Sequence, residues 1–263
     1  MRTLTTVSGG PFSRPRPFGP ARTLLGVWAH PDDEAYLSAG LVATAVAAGW
    51  RVVIATATRG EIGTDDPQGL PPARLAAMRQ RELTDSLGVL GVHEHRWLRA
   101  GRPLVDGELA GVPDGAGVRA VAEVLADVRP DLVVSFGPDG LTGHSDHRTV
   151  SRWTTRAWQL RGGRGDLWYA ALTPAFLDRW GAVCTEHGVW MDGGPPEPVD
   201  PDDVVHVQAC TGALLDRKYA ALVAHTSQTA GLIARVGEER YRQWWSTESF
   251  VSARSAAAQA EVA

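Results

Sequence analysis

Cysteine, long apolar runs and a surplus of either charge are all scarce in this sequence. Its two cysteines, Cys184 and Cys210, could form one disulfide at most, which excludes a disulfide-based scaffold. No apolar run approaches the ~20 residues of a membrane span, and the first residues lack the apolar stretch of about 7–15 residues that a secretory signal needs. We therefore expect a cytoplasmic protein without a membrane partner.

The charge balance also argues against a nucleic-acid partner. The 26 basic residues stand against 30 acidic ones, and the formal net charge of −4 gives no field that would attract a phosphate backbone. Hydrophobic residues make up 44% of the 263, enough for a sizeable core. The proline- and glycine-rich residues 1–22 predict a flexible N-terminal arm, and residues 23–263 a single domain.

Strand-like and helix-like segments alternate along that domain. Continuous apolar or β-branched runs predict strands at residues 23–29, 51–58, 131–136, 167–172 and 204–207. Helices are predicted at residues 38–48, 72–87, 117–128, 147–160 and 214–224, and a long loop at 181–203 that could wall the active site. This alternation predicts an α/β fold with a three-layer, open, mostly parallel Rossmann-like sheet and helices on both faces.

Imidazoles and carboxylates follow two of the predicted strands. Ala-His-Pro-Asp-Asp-Glu occupies residues 29–34 after the first strand, and a segment ending in His-Ser-Asp-His at residues 144–147 follows the 131–136 strand. Ligands of open α/β sheets bind beyond the carboxyl ends of the strands, so neighbouring strands would bring both clusters to one crevice. Three consecutive acids would repel the phosphates of a dinucleotide, whereas imidazole nitrogens beside carboxylates suit zinc.

The residue types predict one role each. His30, Asp33 and His147 form a His–Asp–His set that leaves one zinc position free. Asp32 is a candidate general base for water at the metal, and His144 a candidate acid for the leaving group or donor to the oxyanion. Asp146 could fix the tautomer of His144 or His147. The competing interpretations are two surface histidines on a helix, and a first-turn carboxylate cluster at residues 32–34.

These motifs resemble the PIG-L/LmbE-like family of zinc-dependent N-deacetylases. The six residues at 29–34 are the most specific part, and residues 58–63, 79–83, 87–89, 218–222 and 225–228 are similar to further motifs of that family. The resemblance implies the same metal ligands, Asp32 as general base, His144 as the group that polarises the carbonyl or protonates the amine, and Asp146 as its support.

The resemblance also implies residues that grip the sugar. Family members acting on N-acetylglucosaminyl-inositol use an arginine that matches Arg79 and an aspartate near Asp106. Two positions depart from those sugar-thiol deacetylases: Thr142 replaces a tyrosine, and Asp-Gly-Glu at residues 106–108 replaces Asp-Ser-Gly. The chain is therefore not assigned to the mycothiol pathway.

Taken with the resemblance, the residues predict a zinc-dependent hydrolase that removes an N-acyl group, most simply acetyl, from an amino sugar or its conjugate. The alternative is an amidase that cleaves larger amide conjugates of the mycothiol or secondary-metabolite type. A degenerate family member that binds without turnover and a dinucleotide-dependent oxidoreductase are further alternatives. Fe²⁺ can occupy the same ligand set, and a homo-oligomer is compatible with the sequence.

Three further features carry open interpretations. The Trp244–Trp245 pair could stack on a sugar or pack in a core or subunit contact, and core packing is favoured. His225 could lie near the site or pack the late helix. The segment containing His93 and His95 is predicted to lie at the surface.

Overall fold

A seven-stranded sheet runs through residues 22–191 and 194–254, the part of the chain that this computed structural model describes. Its strands in chain order are β1 Thr23–Trp28, β2 Arg51–Thr56, β3 Glu94–Trp97, β4 Leu132–Phe136, β5 Asp166–Ala170, β6 Val204–Ala209 and β7 Thr247–Ser252. In space they follow the order β3-β2-β1-β4-β5-β7-β6, and only β7 runs antiparallel to its neighbours. The predicted α/β fold with a mostly parallel sheet is confirmed.

Two groups of helices cover this sheet. The helices are α1 Asp33–Ala47, α2 Pro72–Leu90, α3 Asp114–Val128, α4 Ser145–Leu160, α5 Pro174–Glu186, α6 Gly212–Ala224, α7 Thr226–Val236 and α8 Glu238–Trp244. Helices α1, α2 and α6 pack together, and α3 packs on α4. Parallel crossovers are almost always right-handed, so connections that extend the sheet in opposite directions, β1-β2-β3 and β1-β4-β5, are expected to place their helices on opposite faces.

The strand order reverses between β1 and β4, and this switch point places the site. Strand β1 lies between β2 and β4, paired in parallel with both, so the chain leaves the carboxyl ends of β1 and β4 side by side. The turn after β1 leads into α1 at Asp33, and the turn after β4 leads into α4 at Ser145. A crevice opens at such a point because the two following helices turn to opposite faces.

Several helix boundaries differ from the sequence prediction. Helix α1 begins at Asp33, five residues before the predicted start, because the turn of residues 29–32 leads straight into it. Helix α2 continues through Gly88 to Leu90 and ends at Gly91, whose φ of 78° gives the left-handed C-terminal stop. Helices α3, α4 and α6 each begin two or three residues earlier than predicted.

The sequence prediction also missed several helices and strands. Strand β3 contains Glu94 and His95, which were predicted to lie at the surface; all its residues are half-buried, and His95 is 3.1 Å from the Thr56 hydroxyl. The predicted loop at residues 181–203 is wrong at its start, because α5 continues to Glu186. Helices α7 and α8 and strand β7 complete the C-terminal part.

The described part of the chain begins at Arg22 and ends at Arg254. Of the predicted arm at residues 1–22, only Arg22 belongs to the described residues, so the division into an arm and one domain stays a prediction. Both cysteines are buried and free. Among the described residues, no helix has the length and apolar character needed to cross a bilayer.

Candidate active site

The turns after β1 and β4 meet in a cleft of about 270 Å³. It is lined by residues of both turns, of the loops around Gly63 and Asp106, and of the C-terminal helices. Seven of the eight residues predicted for the site line it: His30, Asp32, Asp33, Arg79, Asp106, His144 and His147. The eighth, Asp146, is fully buried beside it. Val189 and Met191 also line the cleft, as predicted for a wall formed by residues 181–203.

Three potential ligand atoms face one another at the base of the cleft. His30 Nδ1 lies 3.2 Å from His147 Nε2 and 3.7 Å from Asp33 Oδ2, and His147 Nε2 lies 3.4 Å from Asp33 Oδ1. All three residues are buried. Zinc bound to nitrogen at 2.0–2.1 Å in a tetrahedron would hold its ligands roughly 3.3–3.4 Å apart. The 3.2 Å between the two histidine nitrogens and the 3.4 Å between His147 Nε2 and Asp33 Oδ1 fit such an ion.

Backbone groups fix the orientation of two of these ligands. Asp33 Oδ2 accepts the N–H groups of Ala29 and His30, which holds the carboxylate at the start of α1. His147 Nδ1 lies 3.0 Å from the Gly140 carbonyl oxygen. A carbonyl oxygen can only accept, so Nδ1 carries the hydrogen of the neutral ring and the Nε2 lone pair points at the other ligands.

Two carboxylates fix the orientation and the tautomer of the His30 ring, as the Gly140 carbonyl does for His147. Its Nε2 lies 3.0 Å from Asp106 Oδ1 and 3.4 Å from Asp146 Oδ2, so this nitrogen donates and Nδ1 is left facing His147. Two acceptor nitrogens and a carboxylate would then repel one another unless a positive charge lies among them.

The protonation equilibrium of His30 shows the same demand for positive charge. Burial lowers the pKa of His30, but hydrogen bonds to Asp106 and Asp146 and the charge of Asp33 outweigh it and raise the pKa to about 10. Without a metal, the group of His30, Asp33 and His147 therefore binds a proton at His30. Its nitrogen and carboxylate atoms are ligands that a divalent cation prefers.

Asp32 is held in a constrained position at the cleft wall. Its φ of 114° lies in the region that favours glycine, and its side chain is 16% exposed. The Arg79 guanidinium donates to Asp32 Oδ2 at 3.1 Å and also to the carbonyl oxygens of Pro31 and Gly60. Burial raises the pKa of Asp32 to about 6, and the charge of Arg79 opposes that rise.

His144 and Asp146 form the start of α4. His144 Nδ1 accepts the backbone N–H of Asp146, so the neutral His144 ring carries its hydrogen on Nε2. Burial and the charge of His30 lower the pKa of His144. The Asp146 carboxylate accepts the N–H groups of Gly107 and Leu109 and contacts His30, so its observed partners differ from the two histidines named in the prediction.

Arg79 and Asp106 have partners within the protein as well as positions in the cleft. Arg79 is 3% exposed, and its Nε has no hydrogen-bond partner among the described residues. Asp106 accepts the Ile62 N–H and contacts His30, and these bonds lower the pKa of Asp106 to about 2 although burial opposes it. Contact of either residue with a sugar stays a prediction.

Glu34 and His225 support the cleft without lining it. The two side chains are fully buried, with His225 Nε2 2.8 Å from Glu34 Oε1, and the other Glu34 oxygen accepts the Asp32 N–H. Ser86 donates to Glu34 as well. His225 is thus both near the site and packed inside, and the first-turn carboxylate cluster at residues 32–34 is part of the site. The only sequence signal for this pair was that each residue lies in a family-like motif.

The two tryptophans of the Trp244–Trp245 pair have different positions relative to the cleft. Trp245 lines the cleft, whereas Trp244 is 1% exposed and stacks between Trp180 and Trp245. The Thr142 hydroxyl lies 3.3 Å from His147 Nδ1. Gln228, whose amide donates to the Gly63 carbonyl oxygen, also lines the cleft.

Comparison with known proteins finds a matching family model and similar curated sequences. The family model described as PIG-L, GlcNAc-PI de-N-acetylase, matches residues 25–158. The 1D-myo-inositol 2-acetamido-2-deoxy-alpha-D-glucopyranoside deacetylase of Kineococcus radiotolerans is 32% identical over 249 residues, covering 79% of this chain and 69% of the relative. The deacetylase of the same description from Acidothermus cellulolyticus is 33% identical over 238 residues, covering 80% of each chain.

A solved structure shares the fold. N,N'-diacetylchitobiose deacetylase from Pyrococcus horikoshii superposes with a TM-score of 0.61 at 22% identity, covering 89% of this chain and 79% of the other.

Proposed function

The chain belongs to the PIG-L family of metal-dependent N-deacetylases, and from this premise we propose that it hydrolyses the amide of an N-acetylated amino sugar in the cleft around His30, Asp33 and His147. The named relatives deacetylate a glucosamine joined to inositol, which supports a 2-acetamido-2-deoxyglucoside as the substrate class. The observation that carries the proposal is the set of three mutually facing ligand atoms beside the Asp32 carboxylate.

His30 Nδ1, Asp33 and His147 Nε2 would hold the cation, with Zn²⁺ as the proposed metal and Fe²⁺ as the alternative. When bound, a divalent cation polarises the amide carbonyl and makes water more acidic. Asp106 and Asp146 orient His30 through Nε2, and the Gly140 carbonyl orients His147. These contacts hold the ligand atoms in place before any substrate arrives.

Asp32 is the proposed general base. With a pKa of about 6 its carboxylate is mostly ionised at neutral pH, so it can accept a proton from the attacking water and pass it to the departing amine nitrogen. Arg79 fixes one carboxylate oxygen, and the Glu34–His225 pair fixes the backbone. The other Asp32 oxygen is the one available for the proton transfer.

His144 is the proposed donor to the developing oxyanion. Because its Nδ1 accepts the Asp146 N–H, its Nε2–H is free to donate, and its lowered pKa keeps the ring neutral at neutral pH. Water adds to the amide carbon, the C–N bond breaks, and acetate and a free amine leave. A neutral donor suits this role because it stabilises charge on the carbonyl oxygen without giving up its proton. The cytoplasmic location and a homo-oligomer stay predictions.

Asp32→Asn tests this proposal. We expect the variant to bind metal as the wild type does, since Asp32 is not a ligand, and to lose about two orders of magnitude or more in turnover. Amine release from N-acetylglucosaminides would be measured on protein stripped of metal and reloaded with Zn²⁺, alongside the metal content. Asp127→Asn, an exposed acid of α3, is the matched control. Near-normal turnover by Asp32→Asn would refute the assignment of the base.

A further inference from the structure

A second cavity of about 280 Å³ adjoins the catalytic cleft. It lies between the start of α5, the carboxyl end of β5 and the residues that join α8 to β7. Four residues line both cavities, and they are Tyr36, Leu37, Leu141 and Trp245. Tyr36 and Leu37 follow the proposed ligand Asp33 by one turn of α1, so this shared wall begins next to the proposed metal ligands.

One part of the wall of the second cavity is apolar and aromatic, and several serine and threonine residues line the rest. Phe176 and Trp180 of α5 line it together with Leu172 and Trp245. Trp245 stacks on Trp244 with ring centroids 4.9 Å apart and meets the Tyr36 ring edge-on at 4.6 Å. Rings held on more than one side lose little freedom when a ligand arrives, so this wall is preorganised for a flat apolar group.

The charged residues of the cavity do not favour an ionic ligand inside it. The Glu248 carboxylate is paired with the Lys218 ammonium at 2.6 Å and accepts two backbone N–H groups of α1. Arg179 is exposed and stacks on the Trp180 ring. The Trp245 Nε1–H is buried and has no acceptor among the described residues, so one donor remains beside the shared wall.

We propose that this cavity, defined here as the side pocket, binds an apolar ring or short alkyl group that the amino-sugar substrate carries. This inference rests on the proposed function and deepens it, because it assigns the chain to N-acetylated amino-sugar conjugates with an apolar substituent. The substituent is either the aglycone or a longer acyl chain; both have the chemistry that the side pocket recognises.

Two pairs of substrates separate these sources. Methyl and phenyl glycosides of N-acetylglucosamine differ only in the aglycone, and N-acetyl- and N-hexanoylglucosamine differ only in the acyl chain. Burying a phenyl ring or a chain of several methylenes is worth about tenfold or more in affinity. We expect the wild type to favour one extended member over its short partner by about tenfold in kcat/KM.

Ala175→Trp is designed to fill the side pocket. Ala175 is an exposed residue at the start of α5 that lines the side pocket and is absent from the catalytic cleft. The variant should abolish the preference for the extended substrate and leave the kcat/KM of the short one unchanged. Ala182→Trp, at an exposed position of the same helix outside both linings, is the control and should preserve the preference. Thermal unfolding checks that both variants fold.

Binding separates this proposal from the deacetylase assignment. Affinities of the four compounds would be measured by titration calorimetry on Asp32→Asn with and without Ala175→Trp, where no turnover is required. Tighter binding of an extended compound that Ala175→Trp removes would support the side pocket even if no compound is hydrolysed. Turnover of the short substrates without any preference in the wild type, or a preference that Ala175→Trp leaves intact, would overturn the proposal and leave the deacetylase function standing.

Discussion

A buried ion pair, Lys218–Glu248, bonds to the backbone of helix α1, and we expect its loss to lower the stability of the protein by an amount that can be worked out. Lys218 Nζ lies 2.6 Å from Glu248 Oε1, and the two side chains are 0% and 1% exposed. Lys218 also donates to the Tyr36 carbonyl oxygen at 2.7 Å, and Glu248 accepts the N–H groups of Gly40 and Leu41. In a regular helix the Gly40 N–H donates to the Tyr36 carbonyl, so the pair takes up both halves of that bond.

Lys218→Met removes the charge and keeps most of the stem. The Glu248 carboxylate then stays buried with two N–H donors and no cation, and breaking such a pair costs about 3–5 kcal/mol. For a chain of this size each kcal/mol shifts the midpoint of thermal unfolding by roughly 2–4 °C, which gives a decrease of about 6–20 °C. Because the pair joins α6 and β7 to α1, the loss should affect global unfolding.

Urea unfolding followed by tryptophan fluorescence, at fixed metal concentration, measures the change. Lys218→Met, Glu248→Gln and the double variant form a cycle, and we expect the double variant to be more stable than the sum of the single losses implies, by about 2 kcal/mol. The control is Arg51→Met at the partly exposed Arg51–Glu94 pair, which should cost about 1 kcal/mol or less. A loss below about 1 kcal/mol for Lys218→Met, or an additive cycle, would refute the reasoning.

Two further predictions follow from burial. Lys218 is the only lysine of the sequence and is buried, so an amine-reactive ester should modify Lys218 only after unfolding and should react with native protein at the α-amino group. Rapid labelling of Lys218 in native protein, detected by peptide mass spectrometry, would contradict its burial. Burial lowers the pKa of His95 to about 4, so below pH 6.5 the unfolded chain takes up a proton that the folded one does not, and stability is lost as the pH falls toward 4. Between pH 6.5 and 4, the free energy of unfolding of His95→Gln should fall by up to about 3 kcal/mol less than that of the wild type, as measured by urea unfolding. An equal fall in both proteins would show that His95 does not cause the pH dependence.

The central strands and the two turns that line the cleft were predictable because their signals are local. Strands β1, β2 and β4 are buried on both faces, which requires apolar runs that the sequence displays. A parallel sheet brings the turns after β1 and β4 to one edge, so His30 and His147, 117 residues apart, were expected to converge if these strands were neighbours, which they are. The proposed metal-ligand set thus depended on local signals and on the adjacency of two strands.

The edges of the sheet could not be predicted in this way. Strand β3 carries Glu94 and His95 at half-buried positions, so its composition shows no apolar run. Strand β7 reaches its place between β5 and β6 only through pairings with segments distant in sequence. The insertion of Glu248 into α1 was hidden for the same reason, since its partners lie about 200 residues away.

The backbone of Asp32 explains why the site extends beyond the residues that line it. A non-glycine residue at a φ of 114° costs about 1–3 kcal/mol, and that cost must be offset by contacts that fix the turn. Glu34 supplies one by accepting the Asp32 N–H, and His225, which lies between α6 and α7 and 191 residues further along the chain, fixes Glu34. The motif of residues 29–34 therefore carries the proposed catalytic groups but does not by itself fix their geometry, which also depends on His225.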